Sequence, residues 1–128
     1  MRTFVAICLT MWFGGAVAAE PDGYADVAVK STRVGGSVSM LSGAGGNMAV
    51  SIGPDGTLLV DDEFAPLAER IQSAINELGG SAPKLIINTH YHDDHTGGNG
   101  AFGERGVIIA QEQVRYRLLN GSNQPRSA

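Results

Sequence analysis

All three histidines of the chain fall within six residues, from His90 to His95. In an extended chain, residues i and i+2 point to the same side, so His90 and His92 can direct two imidazoles at one point, where metal–nitrogen bonds of about 2.0–2.1 Å form. As the chain turns, Asp94 and His95 become adjacent ligands that face a second point. Two metals about 3.5–4 Å apart are within reach of such a short loop. A carboxylate combined with imidazoles suits Zn²⁺, with Fe and Mn as alternatives.

A cluster of His and Asp can instead be an exposed tract that binds metal adventitiously. Here the cluster directly follows an apolar stretch and directly precedes the glycine-rich run Thr96 to Gly100, which an exposed tract does not require. The glycines allow the backbone to pass close beneath a site. Within the window, we expect Asp93 to be a bystander and Tyr91 to pack or to line the cleft.

Two short apolar runs, Thr57 to Val60 and Leu85 to Asn88, are typical of buried strands. The histidine window therefore lies on the loop at the carboxyl end of a strand, where ligand sites gather in α/β sheets. Between the two runs, apolar residues at helical spacing predict a helix that packs on the core, with Asp61 or Asp62 as its cap and Gly79-Gly80 at its end; they are Phe64, Leu67, Ala68, Ile71, Ala74, Ile75 and Leu78.

Glycine-separated alternation of apolar and polar residues predicts half-buried antiparallel strands over Tyr24 to Thr32, Ser37 to Ser42 and Met48 to Gly53. Gly106 to Ala110 forms a further predicted strand, followed by a helix from about Gln111 to Leu119. This order of elements predicts an α/β fold in which helices pack on an outer face of one sheet.

Composition and charge narrow the class of protein. The chain has 128 residues, enough for one domain, and its 9 basic against 13 acidic residues give a formal net charge of −4. No basic run is present, and phosphate contacts need clustered Lys and Arg, so nucleic acid is a poor candidate partner. The partner expected instead is a small-molecule substrate.

The first nineteen residues have the pattern of a secretory signal peptide. Arg2 precedes an apolar run from Phe4 to Val17, and Ala16-Val17-Ala18 supplies the small residues that a signal peptidase requires. An uncleaved membrane anchor is the alternative, but the run is shorter than the roughly 20 residues that span a bilayer. We expect a signal peptide over 1–19, a domain over 20–128, and a periplasmic or secreted protein without a membrane segment. Cleavage removes Cys8, the single cysteine of the chain.

The stretch from Asn88 to Asn99 resembles the H-x-H-x-D-H motif of the metallo-β-lactamase superfamily and its glycine-rich continuation. Upstream, Gly46-Asn47 and Leu58 to Asp61 are similar to the family's first sheet and first crossover. The resemblance extends from Tyr24 to Leu119. A histidine rather than an arginine at position 95 resembles the broad hydrolase branch and the B3-type lactamases.

The resemblance implies an αββα sandwich with a dinuclear metal cleft between its sheets. It assigns His90 and His92 to the first metal and Asp94 and His95 to the second, with two Zn²⁺ in the complete domain, and it gives Asp94 the further role of orienting the attacking water. The implied activity is zinc-dependent hydrolysis of a β-lactam, lactone, thioester or other ester by a metal-bound hydroxide.

The family completes this site with further His and Asp ligands downstream of the motif. After His95 the chain contains no His, Asp or Cys, and its acids there are Glu104 and Glu112. We therefore expect a partial sandwich, the first sheet plus helices, that exposes a sheet face available for self-association and binds metal more weakly. The alternatives are an inactive secreted fragment with weak metal binding, or one part of a split or longer protein.

Overall fold

The computed structural model describes residues 23–121, so the predicted signal peptide over 1–19 lies outside the described residues. Six strands form one sheet in sequence order: β1 (Lys30–Gly35), β2 (Val38–Ser42), β3 (Asn47–Gly53), β4 (Gly56–Val60), β5 (Leu85–Asn88) and β6 (Val107–Ala110). A 3-10 turn covers Ala65–Leu67, and the helices are α1 (Ala68–Glu77), α2 (Asp93–Thr96), α3 (Asn99–Gly103) and α4 (Glu112–Asn120). None of the helices in 23–121 combines the length and apolarity needed to cross a bilayer.

The sheet is antiparallel in its first half and parallel in its second. Strands β1 to β4 form a meander, whereas β4 pairs with β5, and β5 with β6, in parallel. The crossover from β4 to β5 runs through α1, which confirms the predicted α/β class. Because parallel neighbours end at the same edge of a sheet, the residues after β4 and after β5 come together; the Asp61 N–H donates to the Ile87 carbonyl at 2.8 Å.

The core lies between one face of the sheet and α1. Alternate strand residues point to this face and are fully buried, among them Leu41, Val50, Leu59 and Ile86. They pack with the buried side of α1 in one apolar cluster that includes Leu67, Ile71 and Ile75. Full burial of each such aliphatic side chain contributes about 1.5–3 kcal/mol. The structure confirms the predicted core role of this helical stripe.

The predicted cap of the first helix is wrong. The helical segment begins only after Phe64, with a 3-10 turn that carries Pro66 near its start, and no side chain caps either the turn or α1. Asp61 and Glu63 instead adopt left-handed backbone conformations, with φ of 59° and 54°. The carboxylates of Asp61 and Glu63 and the Oδ1 of Asp62 accept hydrogen bonds from other segments, so none of them caps the helix.

Two further expectations need correction. The first strand begins at Lys30 rather than Tyr24, because Arg70 of α1 donates to the carbonyls of Tyr24 and Val27 and holds this segment against the core instead of in the sheet. The histidine window is not loop throughout: it ends in the one-turn helix α2, in which the His92 carbonyl accepts from the Thr96 N–H at 3.1 Å. By contrast, β5 has the predicted bounds.

Candidate metal centre

Two segments meet at the carboxyl edge of the parallel strands. One is the acidic segment, Asp61 to Glu63, which follows β4 and is buried throughout. The other is the histidine window, which follows β5. The carbonyl of His95 accepts hydrogen bonds from the Asn88 side chain at 3.1 Å and from the Asp62 N–H at 3.2 Å. The end of β5 and the acidic segment therefore both hold α2 in place.

Three of the four predicted ligands form one compact cluster. His90, Asp94 and His95 are each half-buried, and each offers a ligand atom within 4.8 Å of the others. The Asp94 Oδ2 lies 3.3 Å from the His95 Nε2. His92 is outside this three-residue cluster and more exposed, but its Nδ1 lies 3.2 Å from the His90 Nε2.

The hydrogen-bond network determines which nitrogen of His90 is free. The Thr89 hydroxyl has one proton and donates it to the Asp61 Oδ2 at 2.7 Å. Since that proton is used, the 3.1 Å contact between the Thr89 Oγ1 and the His90 Nδ1 requires the imidazole to be the donor. The Nε2 of His90 is then an unprotonated acceptor directed towards His92.

His95 is oriented by the same carboxylate. Its Nδ1 lies 2.8 Å from the Asp61 Oδ2 and donates to it, which leaves the Nε2 lone pair facing Asp94. A carboxylate on the far side of an imidazole fixes the tautomer and raises the basicity of the nitrogen that binds metal. Asp61 also accepts the Thr89 N–H at 2.8 Å, so one buried side chain holds both ends of the window.

The spacing of the donor atoms fits metal coordination. Two atoms bound to one tetrahedral ion through bonds of about 2.0–2.1 Å lie about 3.3–3.4 Å apart. The nitrogens of His90 and His92 are 3.2 Å apart, and the Asp94 and His95 donor atoms 3.3 Å. Each of these two pairs of predicted ligands therefore has a separation compatible with a shared ion and equally with a direct hydrogen bond.

The other residues of the window lie outside the cluster. Asp93 is exposed, and its carbonyl accepts from the Gly97 N–H at 2.9 Å. The Tyr91 ring packs edge-on against His92, with centroids 4.7 Å apart, and the Arg117 guanidinium lies 4.5 Å from the Tyr91 centroid. Tyr91 thus packs beside the cluster as expected, and the exposed Asp93 side chain lies outside it, as expected of a bystander.

Sequence reasoning missed the role of the acidic segment. The Asp62 Oδ1 accepts from the Gly98 N–H at 3.0 Å. Burial raises the pKa of Asp62 to about 7; the Gly98 N–H opposes this rise and the neighbouring Asp61 charge adds to it. The available signal was the position of three consecutive acids directly after a buried strand, on the edge where the histidines also emerge.

Glu63 holds a second segment at this site, and no local sequence pattern predicts its position here. Its fully buried carboxylate accepts from the N–H groups of Gly43, Ala44 and Gly45, at 3.0, 3.1 and 3.3 Å. These residues belong to the glycine loop, Gly43 to Gly46, which connects β2 and β3. A Cβ on Gly46 would lie 2.5 Å from the His95 ring, so this loop lies directly against the metal centre.

The glycines after the window confirm the expected close approach of the backbone. A Cβ on Gly97 would lie 2.6 Å from the Glu63 carbonyl oxygen, and one on Gly98 2.5 Å from the Asp62 carbonyl oxygen. Gly100 differs, since a Cβ there would meet nothing within 4 Å. The two close glycines let the acidic segment pass beneath α2.

Solved structures of metallo-β-lactamases are similar to this chain. MEM-A1, a subclass B3 enzyme from a soil metagenome library, is 29% identical with a TM-score of 0.64, over 75% of this chain and 37% of its own. BJP-1, a subclass B3 enzyme of Bradyrhizobium japonicum, is 27% identical with a TM-score of 0.64, over 71% and 36%. FIM-1 from Pseudomonas aeruginosa, in its mono-zinc form, is 21% identical with a TM-score of 0.66, over 80% and 50%, and supports the fold alone.

The chain spans about a third to a half of the length of these structures. None of the curated proteins matches it significantly. The family model of the metallo-beta-lactamase superfamily matches residues 43–112, which include the glycine loop, the acidic segment and the whole histidine window. The chain belongs to the metallo-beta-lactamase superfamily.

Proposed function

We propose that this chain carries part of the metal centre of a zinc-dependent hydrolase that acts on a β-lactam or on another lactone, thioester or ester. One observation carries the proposal: His90, Asp94 and His95 each offer a ligand atom within 4.8 Å of the others, while Thr89 and Asp61 accept from the Nδ1 atoms of the two rings. Zinc is supported by this imidazole–carboxylate donor set.

Each residue of the centre has a defined task in this proposal. His90 and His92 hold one zinc ion, and Asp94 and His95 hold a second. When bound, zinc acts as a Lewis acid and lowers the pKa of water towards neutrality. Asp94 contributes a half-buried carboxylate that can accept a hydrogen bond from the attacking water and orient it. Asp61 keeps the imidazoles in the tautomer that leaves Nε2 free.

A second candidate is a secreted piece that binds metal weakly and turns nothing over. The ligand count favours it: a catalytic zinc usually has three protein ligands, and the first ion here has only His90 and His92. The chain has three histidines in all, and its cysteine is at position 8. A second polypeptide, or another part of a longer protein, could supply the missing ligands in trans.

We also propose where the protein is located and what it binds. The signal-peptide pattern over 1–19 supports export to the periplasm or secretion, although those residues lie outside the described part of the chain. The net charge of −4 supports a small-molecule substrate rather than nucleic acid. Exposed apolar residues on β6 support self-association through that side of the sheet.

The test combines metal content with turnover. The purified chain is loaded with Zn²⁺, its metal is counted by mass spectrometry after dialysis, and hydrolysis of a chromogenic cephalosporin, lactones, thioesters and esters is followed. Tightly held zinc with turnover of one substrate class supports the hydrolase. Weak, substoichiometric zinc without turnover supports the second candidate, and no zinc above a buffer control contradicts both.

A further inference from the structure

The glycine loop contacts both predicted ligands of the second ion. A Cβ placed on Gly45 would lie 2.6 Å from the Asp94 Cβ, and one on Gly46 would lie 2.5 and 2.7 Å from the Cε1 and Nε2 of His95. The loop is the four-residue connection between paired strands, since the β2–β3 ladder ends at Ser42 and Asn47. Its backbone therefore occupies the space beside these two side chains.

Glu63 is the polar tether of this loop. Within residues 23–121, no backbone–backbone hydrogen bond outside the sheet ladders joins the loop to another segment. Its three consecutive N–H groups converge instead on the two carboxylate oxygens of Glu63. Such a run of backbone N–H groups forms a concave anion site, and hydrogen bonds to a charged acceptor are stronger than neutral ones.

Glu63 makes this contact from an unusual backbone conformation. Its φ of 54° is in the left-handed region, which is unfavourable for a residue with a side chain. The side chain is fully buried, and neither ion pair found in the described residues involves it. A buried carboxylate without a cation depends on its hydrogen-bond donors, so loop and carboxylate stabilise each other.

Asp94 depends on the loop more than His95 does. His95 is held independently, because its Nδ1 is bonded to Asp61 and its carbonyl to Asn88. For the Asp94 carboxylate, the described residues show a single polar contact, the 3.3 Å approach to the His95 Nε2. The Asp94 Cβ lies against Gly45, so we expect the loop backbone to restrict the orientations that this side chain can take.

We propose that Glu63 is a positioning residue: by holding the glycine loop against Asp94 and His95, it sets the affinity and the coordination geometry of the second metal ion. The inference rests on the metal centre of the proposed function. It assigns to Glu63 no contact with the ion or with substrate, and its effect is transmitted through the backbone of Gly45 and Gly46.

The test uses Glu63→Gln in the full chain. The amide keeps the size of the side chain but turns an NH₂ group towards N–H donors, so at least one tether is lost. We expect Zn²⁺ affinity, measured by chelator competition, to fall about 10–100-fold, as for other groups that orient metal ligands. The visible spectrum of the Co²⁺ form should change, and the amides of 43–45 should exchange hydrogen faster in the metal-free protein.

Two further variants make the test decisive. Gly45→Ala adds a methyl group 2.6 Å from the Asp94 Cβ and 2.9 Å from the Phe64 ring, so the loop must shift and zinc binding should weaken although Glu63 is present. Ile75→Val shortens a fully buried core residue of α1 and lowers the melting temperature without touching the loop. It should leave zinc affinity and the Co²⁺ spectrum unchanged.

The inference is overturned if Glu63→Gln binds zinc with wild-type affinity although its loop amides exchange freely. It is also overturned if Ile75→Val loses as much zinc affinity as Glu63→Gln does. If Glu63→Gln does not fold, the zinc affinity of Gly45→Ala is the deciding measurement. Wild-type zinc affinity in Gly45→Ala overturns the inference. If the wild-type chain itself binds neither Zn²⁺ nor Co²⁺, the metal centre is contradicted and the inference falls with it. That result is distinct from a defect confined to the Glu63 variant.

Discussion

Asp61 connects more of the candidate site than any ligand does. Its carboxylate accepts from the Thr89 backbone and hydroxyl and from the His95 ring, all at 2.7 to 2.8 Å. Through Thr89 it also determines the tautomer of His90. A buried acceptor that serves three donors fixes the imidazoles before any ion arrives, which lowers the entropy lost on binding.

Replacing Asp61 by Asn should weaken metal binding about 10–100-fold, because an amide has one acceptor oxygen for three donors and His95 loses its fixed tautomer. Chelator competition with Zn²⁺ measures the effect. Asp55→Asn, in the exposed turn before β4, is the matched control and should bind as the wild type does. Equal affinities of Asp61→Asn and the control would contradict the role of Asp61.

The histidine window offers a second comparison. His92→Ala removes one of the two nitrogens that lie 3.2 Å apart, and we expect it to abolish binding of the first ion. Asp93→Asn changes the exposed neighbour and should retain the full zinc content after dialysis. Metal analysis of both variants beside the wild type decides; unchanged zinc in His92→Ala would contradict the ligand assignment.

The ligand candidates could be predicted from sequence because their spacing is local, within one window that follows an apolar strand. The acidic segment could not, because the partners of Asp61 lie 28 and 34 residues away and those of Glu63 lie 18 to 20 residues away. The residue types that cap helices are also those that accept from buried donors. From the sequence alone, the role of helix cap is therefore favoured for Asp61 or Asp62, and that role is wrong.

At the scale of elements, the turn from α2 to α3 lies close above the acidic segment. Gly98→Ala places a methyl group 2.5 Å from the Asp62 carbonyl oxygen, and overpacking of this kind costs about 1–3 kcal/mol. Gly100→Ala meets nothing within 4 Å and should be neutral or stabilising by up to about 1 kcal/mol, since alanine favours helix. Urea unfolding of both variants measures the difference, and equal stabilities would contradict the close packing.

The positions of strands and helices could be predicted where the spacing of apolar residues reflects which side chains are buried. The strand over Leu85 to Asn88 has the predicted bounds because both of its faces are apolar. The first strand was misplaced because Val27 and Val29 alternate as strand residues do, yet pack against the core beside Arg70. That contact joins positions more than 40 residues apart, and no local pattern reveals it.

Across the whole sheet, β6 is the strand that exposes the largest run of apolar side chains. It forms one edge, contains no charged residue, and leaves Val107, Ile108 and Ile109 63%, 38% and 48% exposed. Edge strands of this kind offer unpaired backbone groups and apolar side chains to a second chain. The proposed self-association, expected through an exposed sheet face, would use these apolar side chains of β6.

Val107→Lys should reduce concentration-dependent self-association, because a charge on an exposed edge strand disfavours edge pairing. Sedimentation velocity over a range of concentrations measures it. Val34→Lys is the matched control, since Val34 is 69% exposed on β1, the opposite edge. A chain that stays monomeric at all concentrations, or one that responds to Val34→Lys alone, would contradict this surface.

Anomalous diffraction at the zinc edge, from crystals of the zinc-loaded chain, shows whether the histidine window binds metal. We expect peaks within about 2.0–2.2 Å of donor atoms of His90 and His92 and of Asp94 and His95. A zinc peak elsewhere, or no peak beside these four side chains, would contradict it.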